Sequence, residues 1–234
     1  MTAVTPGSGA MFDAIAPRYD LLNRLVSLGL DQGWRRALVR AVAPGPEVAR
    51  PVLLDLATGT ADVAVALGRA YPRAQVVGVD PSRRMLAVGA EKLRRAGLDG
   101  RVGLLEGDAQ ALPLPDGAVD GITIAFGIRN VPDRARAAAE MARVARPGAP
   151  LAILELGEPR RGLLRPFARF HVHTVVPTVG AWLSGAGEYR YLARSIAAFP
   201  APEAFLVLLA RAGWKDPRVT RLGFDAAHLY VGRA

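Results

Sequence analysis

The chain reads as an α/β protein, an open and mainly parallel sheet with helices on both faces, and three observations predict this. Short apolar runs alternate with stretches of helical spacing. The run Val52-Leu-Leu-Asp-Leu-Ala-Thr-Gly-Thr-Ala-Asp62 joins a strand to a turn of small residues. The next run, Gln75-Val-Val-Gly-Val-Asp80, ends in a carboxylate. In an open sheet two such strand tips make an adenosine pocket: the turn admits a ligand close to backbone, and the acid accepts from ribose hydroxyls. A chain of 234 residues with 51% apolar content can bury a sizeable core, and a doubly wound sheet of this size is usually one domain. Residues 1–234 are therefore read as a single unit.

Each element follows from local signals. A helical cap is expected over about residues 1–45, where Leu21, Leu22, Leu25, Val26 and Leu28, then Ala37, Leu38 and Val39, keep helical spacing broken near Gly29 and Gly33. Strands are placed at 52–57, 75–80, 102–106, 119–126 and 150–155, and helices at about 61–71, 83–96 and 133–145. Asp80-Pro81-Ser82 caps the second helix ahead of Met85, Leu86 and Leu93. Pro132-Asp133 starts the third and Arg146-Pro147-Gly148 stops it. Strand and helix in alternation imply parallel pairing with right-handed crossovers. Ala226 to Val231, with His228 inside it, reads as a last strand in which the histidine packs.

Residues 159–200 leave this pattern. Arg160, Arg161, Arg165 and Arg169 alternate with Leu163, Leu164, Phe167 and Phe170, and the uncharged stretch from Val172 to Ala186 is interrupted by Pro177, Gly180 and Gly185. That stretch is too broken to span a bilayer. Two readings stand: a lid-like insertion resting on anionic lipid as a peripheral membrane contact, or a helix packed on the sheet or forming a homodimer contact.

Composition excludes several classes. There is no cysteine, hence no disulfide framework, thiolate nucleophile or thiolate metal site. The net charge is +9, with Lys92 and Lys215 the only lysines. Arginines such as Arg94, Arg95, Arg136 and Arg143 fall on expected solvated helix faces. No aromatic platform or recognition helix accompanies them, so a nucleic-acid partner is not expected. Met1 to Ala10 lacks an apolar core of the signal-peptide kind, and the cytoplasm is the expected compartment. His171 and His173 share one side of an extended segment, a spacing that can hold metal, but no third ligand is nearby and no metal is expected.

Glycine spacing distinguishes the nucleoside. A pyrophosphate needs bare backbone at a helix N-terminus, so a dinucleotide fingerprint has three spaced glycines. Here Gly59 stands alone between Thr58 and Thr60, and Asp62 opens the next helix, where it would repel phosphate. A cofactor carrying a sulfonium and an amino group tolerates Asp62 and Asp55. S-adenosylmethionine (SAM) fits; a Rossmann-type NAD(P) oxidoreductase is the alternative of a different class. Further along, Asp108 can accept from the adenine amine while Ala109 admits the ring, although Asp108 also suits a plain turn cap. Ala125-Phe126-Gly127-Ile128-Arg129-Asn130 ends the fourth strand, and its Arg-Asn pair lies where an acceptor is expected, with a loop salt bridge as the competing reading.

The residues resemble those of the ubiquinone/menaquinone biosynthesis C-methyltransferases, within the class I SAM-dependent methyltransferase fold. The resemblance runs from Met11-Phe12-Asp13-Ala14-Ile15-Ala16, Tyr19-Asp20-Leu21-Leu22-Asn23 and Trp34 through Leu54 to Thr60. It continues over Phe126 to Val131, Arg143 to Gly148, and Leu154-Glu155, and then over Tyr189-Arg190-Tyr191-Leu192, Ser195-Ile196, Phe199-Pro200, Ala212-Gly213-Trp214 and His228. The Gly-Ile-Arg-Asn and Tyr-x-Tyr-Leu-x-x-Ser-Ile segments are its specific parts. It implies a Rossmann-like, seven-stranded sheet and SAM contacts at Thr60, Asp80, Asp108 and Ala109. The chain departs from the family at Ala61 and Ala149, where a glycine is usual, at Ala125, where a serine is usual, and at Asp31, where a histidine is usual. An Ala61 methyl is tolerable if φ there is negative. Loss of the serine hydroxyl at Ala125 removes a cofactor hydrogen bond of about 1 kcal/mol.

The resemblance further implies methylation of a ring carbon of a reduced, prenylated quinol, demethylmenaquinol to menaquinol; a polyprenyl benzoquinol or another small aromatic is the alternative acceptor. Such a carbon becomes nucleophilic when a neighbouring hydroxyl is deprotonated, so positioning and a proton route are required. Arg129, whose charge is fixed, is expected to stabilise the phenolate or orient a water. Tyr19 and Asn130 are expected to position the quinol, and Trp34 or Phe12 to cap the site and face the cation.

Overall fold

The computed structural model describes residues 29–157, 194–223 and 225–234. Helix α1 (Asp31–Ala41) precedes β1 (Val52–Leu56), α2 (Asp62–Ala70), β2 (Gln75–Asp80), α3 (Arg83–Arg95) and β3 (Val102–Glu106). Then come β4 (Gly121–Ala125), a 3₁₀ turn at Ile128–Asn130, α4 (Arg134–Val144) and β5 (Pro150–Leu156). The chain ends with α5 (Pro202–Arg211), β6 (Lys215–Leu222) and β7 (Ala227–Arg233). The expected strands and the three helices placed between them are present to within two residues, while residues 1–28 of the expected helical cap lie outside the described residues. Ser82 caps α3 by accepting from the Met85 N–H at 3.1 Å, and Asp133 caps α4 by accepting from Arg136 N–H at 2.9 Å.

The sheet has seven strands in the order β3-β2-β1-β4-β5-β7-β6. The first five are parallel, and β7 runs antiparallel to both its neighbours. Its two faces are covered separately. On one, Leu54, Leu56, Ile122, Ile124 and Tyr230 meet Met141 of α4 and Phe205 and Leu209 of α5. On the other, Leu53, Val76 and Leu154 meet Leu38 of α1, Leu67 of α2 and Leu93 of α3. The strand order reverses between β1 and β4, so helices leave on opposite faces there and a crevice opens at the carboxyl ends.

Three readings change. Helix α1 passes straight through Gly33, where a break was expected. A Cβ there would meet nothing closer than Arg36 Nη2 at 3.9 Å, so the glycine costs about 1 kcal/mol of propensity without stopping the helix. The fourth strand is shorter than 119–126: Val119 makes only an isolated bridge to Ala145, and Phe126 turns away at φ +56°. Strand β6 and helix α5 are additions. β6 is an edge strand of sequence Lys-Asp-Pro-Arg-Val-Thr-Arg-Leu, mostly solvated and irregular between Lys215 and Arg218, so it carries no apolar run.

Candidate cofactor and acceptor site

The turn after β1 is held by its own amides. Thr58 N–H donates to Val79 O at 3.1 Å, Gly59 N–H to Asp80 Oδ2 at 2.9 Å, and Ala61 N–H to Thr58 O at 2.8 Å. Asp80 also accepts from Ser82 N–H at 2.8 Å, which ties the tip of β2 to the first turn of α3. These donors are spent on the protein itself, so the turn is not a nest for pyrophosphate.

Beneath the turn, Asp55 is buried between β1 and β4. Its carboxylate accepts from Thr58 Oγ1 at 2.6 Å and Thr123 Oγ1 at 2.8 Å. Burial pushes its pKa up from 3.8 to about 6, against the opposing pull of the two hydroxyls and of Arg35, while Asp80 adds a little to the rise. Asp62 opens α2 and is paired with Lys92, which also donates to Thr60 Oγ1 at 3.2 Å.

An open cleft of about 300 Å³ lies over this turn, lined by residues 57–60 together with Asp55, Asp62, Val63, Ala125 and Arg35. The structure thus brings Asp55, Gly59, Thr60 and Ala125 to one place, with Asp80 buttressing Gly59 from behind. Asp108 and Ala109 lie outside that lining. Asp108 is exposed, and its oxygens accept from Gln110 N–H at 2.9 Å and from the Gln110 amide at 3.0 and 3.1 Å, a side chain bonded within its own turn. Gln110 carries that turn onto α4 by accepting from Asp133 N–H at 3.1 Å.

The condition set for Ala61 is not met, because its φ is +66°. Its methyl is accommodated by Gly89 of α3, where an added Cβ would lie 3.1 Å from the Ala61 Cβ. Trp34 is a packing residue: it is 8% exposed, and a Cβ on Gly223 would sit 2.6 Å from its ring. Among the described residues the aromatics that face a cation are Phe126, with the Arg35 guanidinium 5.4 Å from its ring centroid, and Phe199, with that of Arg134 at 5.5 Å.

At the tip of β4, Gly127 lets the chain pass against the cofactor turn, since a Cβ there would fall 2.4 Å from the Ala57 Cβ. Arg129 follows, buried and ion-paired with the fully buried Glu155 at 2.7 Å. Its Nη1 also donates to Phe126 O, and its backbone N–H donates to Glu155 at 3.1 Å. Its Nε is buried without a hydrogen-bond partner. The salt bridge read as the alternative for Arg129 is therefore present. Asn130 stands beside it, its N–H donating to Gly127 O at 3.0 Å. His228 lies inside β7, buried and 2.6 Å from Asp225, in the packing role expected of it. Tyr19, Phe12, His171, His173 and almost all of the segment 159–200 fall outside the described residues.

Sequence reading missed Arg35, Thr123 and Glu155. Glu155 had a signal, an acid inside the apolar run Leu151-Ala-Ile-Leu-Glu-Leu156. Arg35 had none, being one of two adjacent arginines on a helix face.

The model of the ubiE/COQ5 methyltransferase family matches residues 6–233. The chain belongs to this family. A demethylmenaquinone methyltransferase of Thermus thermophilus is 48% identical, across 95% of this chain and 99% of the relative. A ubiquinone/menaquinone biosynthesis C-methyltransferase of Syntrophotalea carbinolica is 44% identical, across 95% and 92%. Among solved structures, a SAM-dependent methyltransferase from Aquifex aeolicus superposes with a TM-score of 0.61 at 20% identity, covering 85% of this chain and 88% of that one. A putative SAM-dependent methyltransferase from Methanococcus maripaludis gives 0.68 at 17% identity, covering 99% and 97%. At such identities the two structures establish the class I fold alone. Family and site together make this protein a SAM-dependent methyltransferase, and neither supports the oxidoreductase alternative.

Proposed function

We propose that this methyltransferase converts demethylmenaquinol to menaquinol by methylating a ring carbon of the reduced, prenylated naphthoquinol. The observation that carries the reading is the likeness to the Thermus thermophilus demethylmenaquinone methyltransferase, 48% identical over 99% of its length. The geometry supports it, because Gly127 seats the Arg129-Asn130 turn directly against the cofactor turn, so an acceptor held by that turn lies beside the methyl donor.

Bound SAM supplies the electrophile, a methyl group on a sulfonium. In this reading Thr60 and Asp80 hold the nucleoside. Asp108 and Ala109 meet the adenine, and Ala125, lacking a hydroxyl, only shapes the wall. Asp55 faces the cationic end with Gly59 above it. Asn130 and Tyr19 position the quinol. Arg129, held in one orientation by Glu155 and Phe126 O, offers its fixed positive charge to the phenolate, whose negative charge makes the ring carbon nucleophilic. Arg129→Ala that turns over normally while still folded would remove Arg129 from this role.

The test is to incubate the protein with methyl-labelled SAM and a panel of reduced, demethylated naphthoquinols and benzoquinols. Label entering the naphthoquinols is expected; label entering benzoquinols alone would favour the ubiquinone reading that the name of the Syntrophotalea relative supports. We further propose that residues 159–200 draw the prenylated substrate from an anionic lipid surface. No helix of the described residues is long and apolar enough to cross a membrane. Failure of the protein to float with anionic liposomes at low salt would refute the lipid contact, and the packed-helix or homodimer reading of that segment would then stand.

A further inference from the structure

We propose that Arg35 binds the carboxylate at the amino-acid end of the cofactor, an inference that rests on the SAM reading above. The charges on the cleft wall carry it. Among the described residues the lining holds two carboxylates, Asp55 and Asp62, and one cation, Arg35. At neutral pH the methionine end of SAM carries two cations, the sulfonium and the ammonium, and a single carboxylate. Among the described residues, the ligand's one anion has one partner on that wall.

Arg35 is built to serve as that partner. It projects from α1 with its side chain 14% exposed. Among the described residues it donates one hydrogen bond, from Nε to Asp31 Oδ2 at 3.3 Å, one helical turn back. Its Nη2 stands 4.0 Å from Asp62, beyond hydrogen-bond length, and Asp62 is already answered at closer range by Lys92. The plane lies over Phe126, 5.4 Å from the ring centroid. A guanidinium anchored by Nε and an aromatic face keeps its terminal nitrogens as a fork suited to a carboxylate. Lys92 cannot substitute, because it bridges Asp62 and Thr60 and does not line the cleft.

The test is isothermal titration of the full chain with three probes: SAM, decarboxylated SAM, which keeps both cations and lacks the anion, and 5′-methylthioadenosine, which lacks the amino-acid end. Wild type is expected to bind SAM at least about tenfold tighter than decarboxylated SAM. Arg35→Met, which keeps the aliphatic stem, should weaken SAM by about 10- to 100-fold and move the other two by less than about threefold. Arg35→Lys should fall between, a charge without a fork. Retained discrimination in a folded Arg35→Met, or equal weakening of all three probes, would overturn the proposal. If that variant does not fold, the wild-type comparison decides: equal affinity for SAM and decarboxylated SAM overturns it. Binding of none of the three by wild type would instead sink the SAM reading itself.

Discussion

Replacing Asp55 with asparagine should make the ligand-free protein more stable and the cofactor complex weaker. Burial between β1 and β4 raises the Asp55 pKa from 3.8 to about 6. An acid whose pKa rises on folding favours the folded chain only while protonated. Its contribution to stability is therefore greatest below pH 3.8, falls as the pH rises through the interval, and stays low above about 6. An interval of about two pH units, at about 1.36 kcal/mol each, makes the buried charge cost about 3 kcal/mol at pH 7. Asparagine keeps the shape, and the hydroxyls of Thr58 and Thr123 can rotate so that one donates to the amide oxygen and the other accepts from the NH₂. Asp55→Asn is expected to raise stability at pH 7 by up to about 3 kcal/mol in urea unfolding, with no gain below pH 4. In calorimetric titration, wild-type affinity for SAM should fall about tenfold between pH 7 and pH 5 as the carboxylate takes its proton, while the variant binds weakly with a flat profile. A variant less stable than wild type at pH 7, or one that keeps the wild-type pH profile, would refute the reasoning.

Other outcomes follow from the same geometry. Glu155→Gln leaves the buried Arg129 charge uncompensated and should cost about 3–5 kcal/mol, read as a fall in melting temperature of roughly 10 °C. Gly127→Ala drives a methyl to 2.4 Å from the Ala57 Cβ, which should cost about 1–3 kcal/mol in denaturant unfolding and weaken SAM in titration. Asp108→Asn, at an exposed position, should shift unfolding by less than about 0.5 kcal/mol yet weaken SAM roughly tenfold in titration. Gly89→Ala should destabilise by crowding the Ala61 methyl, and Ala61→Gly should restore part of the loss. A double-mutant cycle is expected to show coupling above about 0.5 kcal/mol, and additive effects would deny the contact.

Much of this fold was legible because the parallel strands are buried on both faces and read as apolar runs: Val52–Leu56, Gln75–Asp80 and Pro150–Leu156 stand out for that reason. Capping chemistry fixed the helix starts, since Ser82 and Asp133 have short side chains that satisfy helix N–H groups. Strand β6 was illegible for the opposite reason. It lies at an edge, its side chains mostly meet solvent, and Pro217 sits where no ladder bond is needed. The turn after β1 could be read because Gly59 and Asp80 are local to strand tips, and they meet there through one hydrogen bond. The Arg129–Glu155 pair spans 26 positions and required knowing that β4 and β5 are neighbours. Arg35 could not be found at all, for its meaning depends on where α1 lies over the turn and not on any motif around it.

Ala61 shows how the turn tolerates a residue that its backbone does not favour. A left-handed conformation costs alanine about 1–2 kcal/mol relative to glycine. Against that stand a methyl removed from water, about 0.8 kcal/mol, and an unfolded chain with less freedom than a glycine would give it, about 0.4–1 kcal/mol. These offset part of the strain, and alanine at a positive φ remains a net cost. Space is the stricter demand, and the facing helix meets it. Gly89 leaves the methyl room, where an added Cβ would lie 3.1 Å from it and 3.3 Å from the Thr60 carbonyl carbon. The side chain missing at Gly89 is what makes that room, at about 1 kcal/mol of helix propensity. Ala61 does not itself line the cleft, so its methyl leaves the cleft wall unchanged.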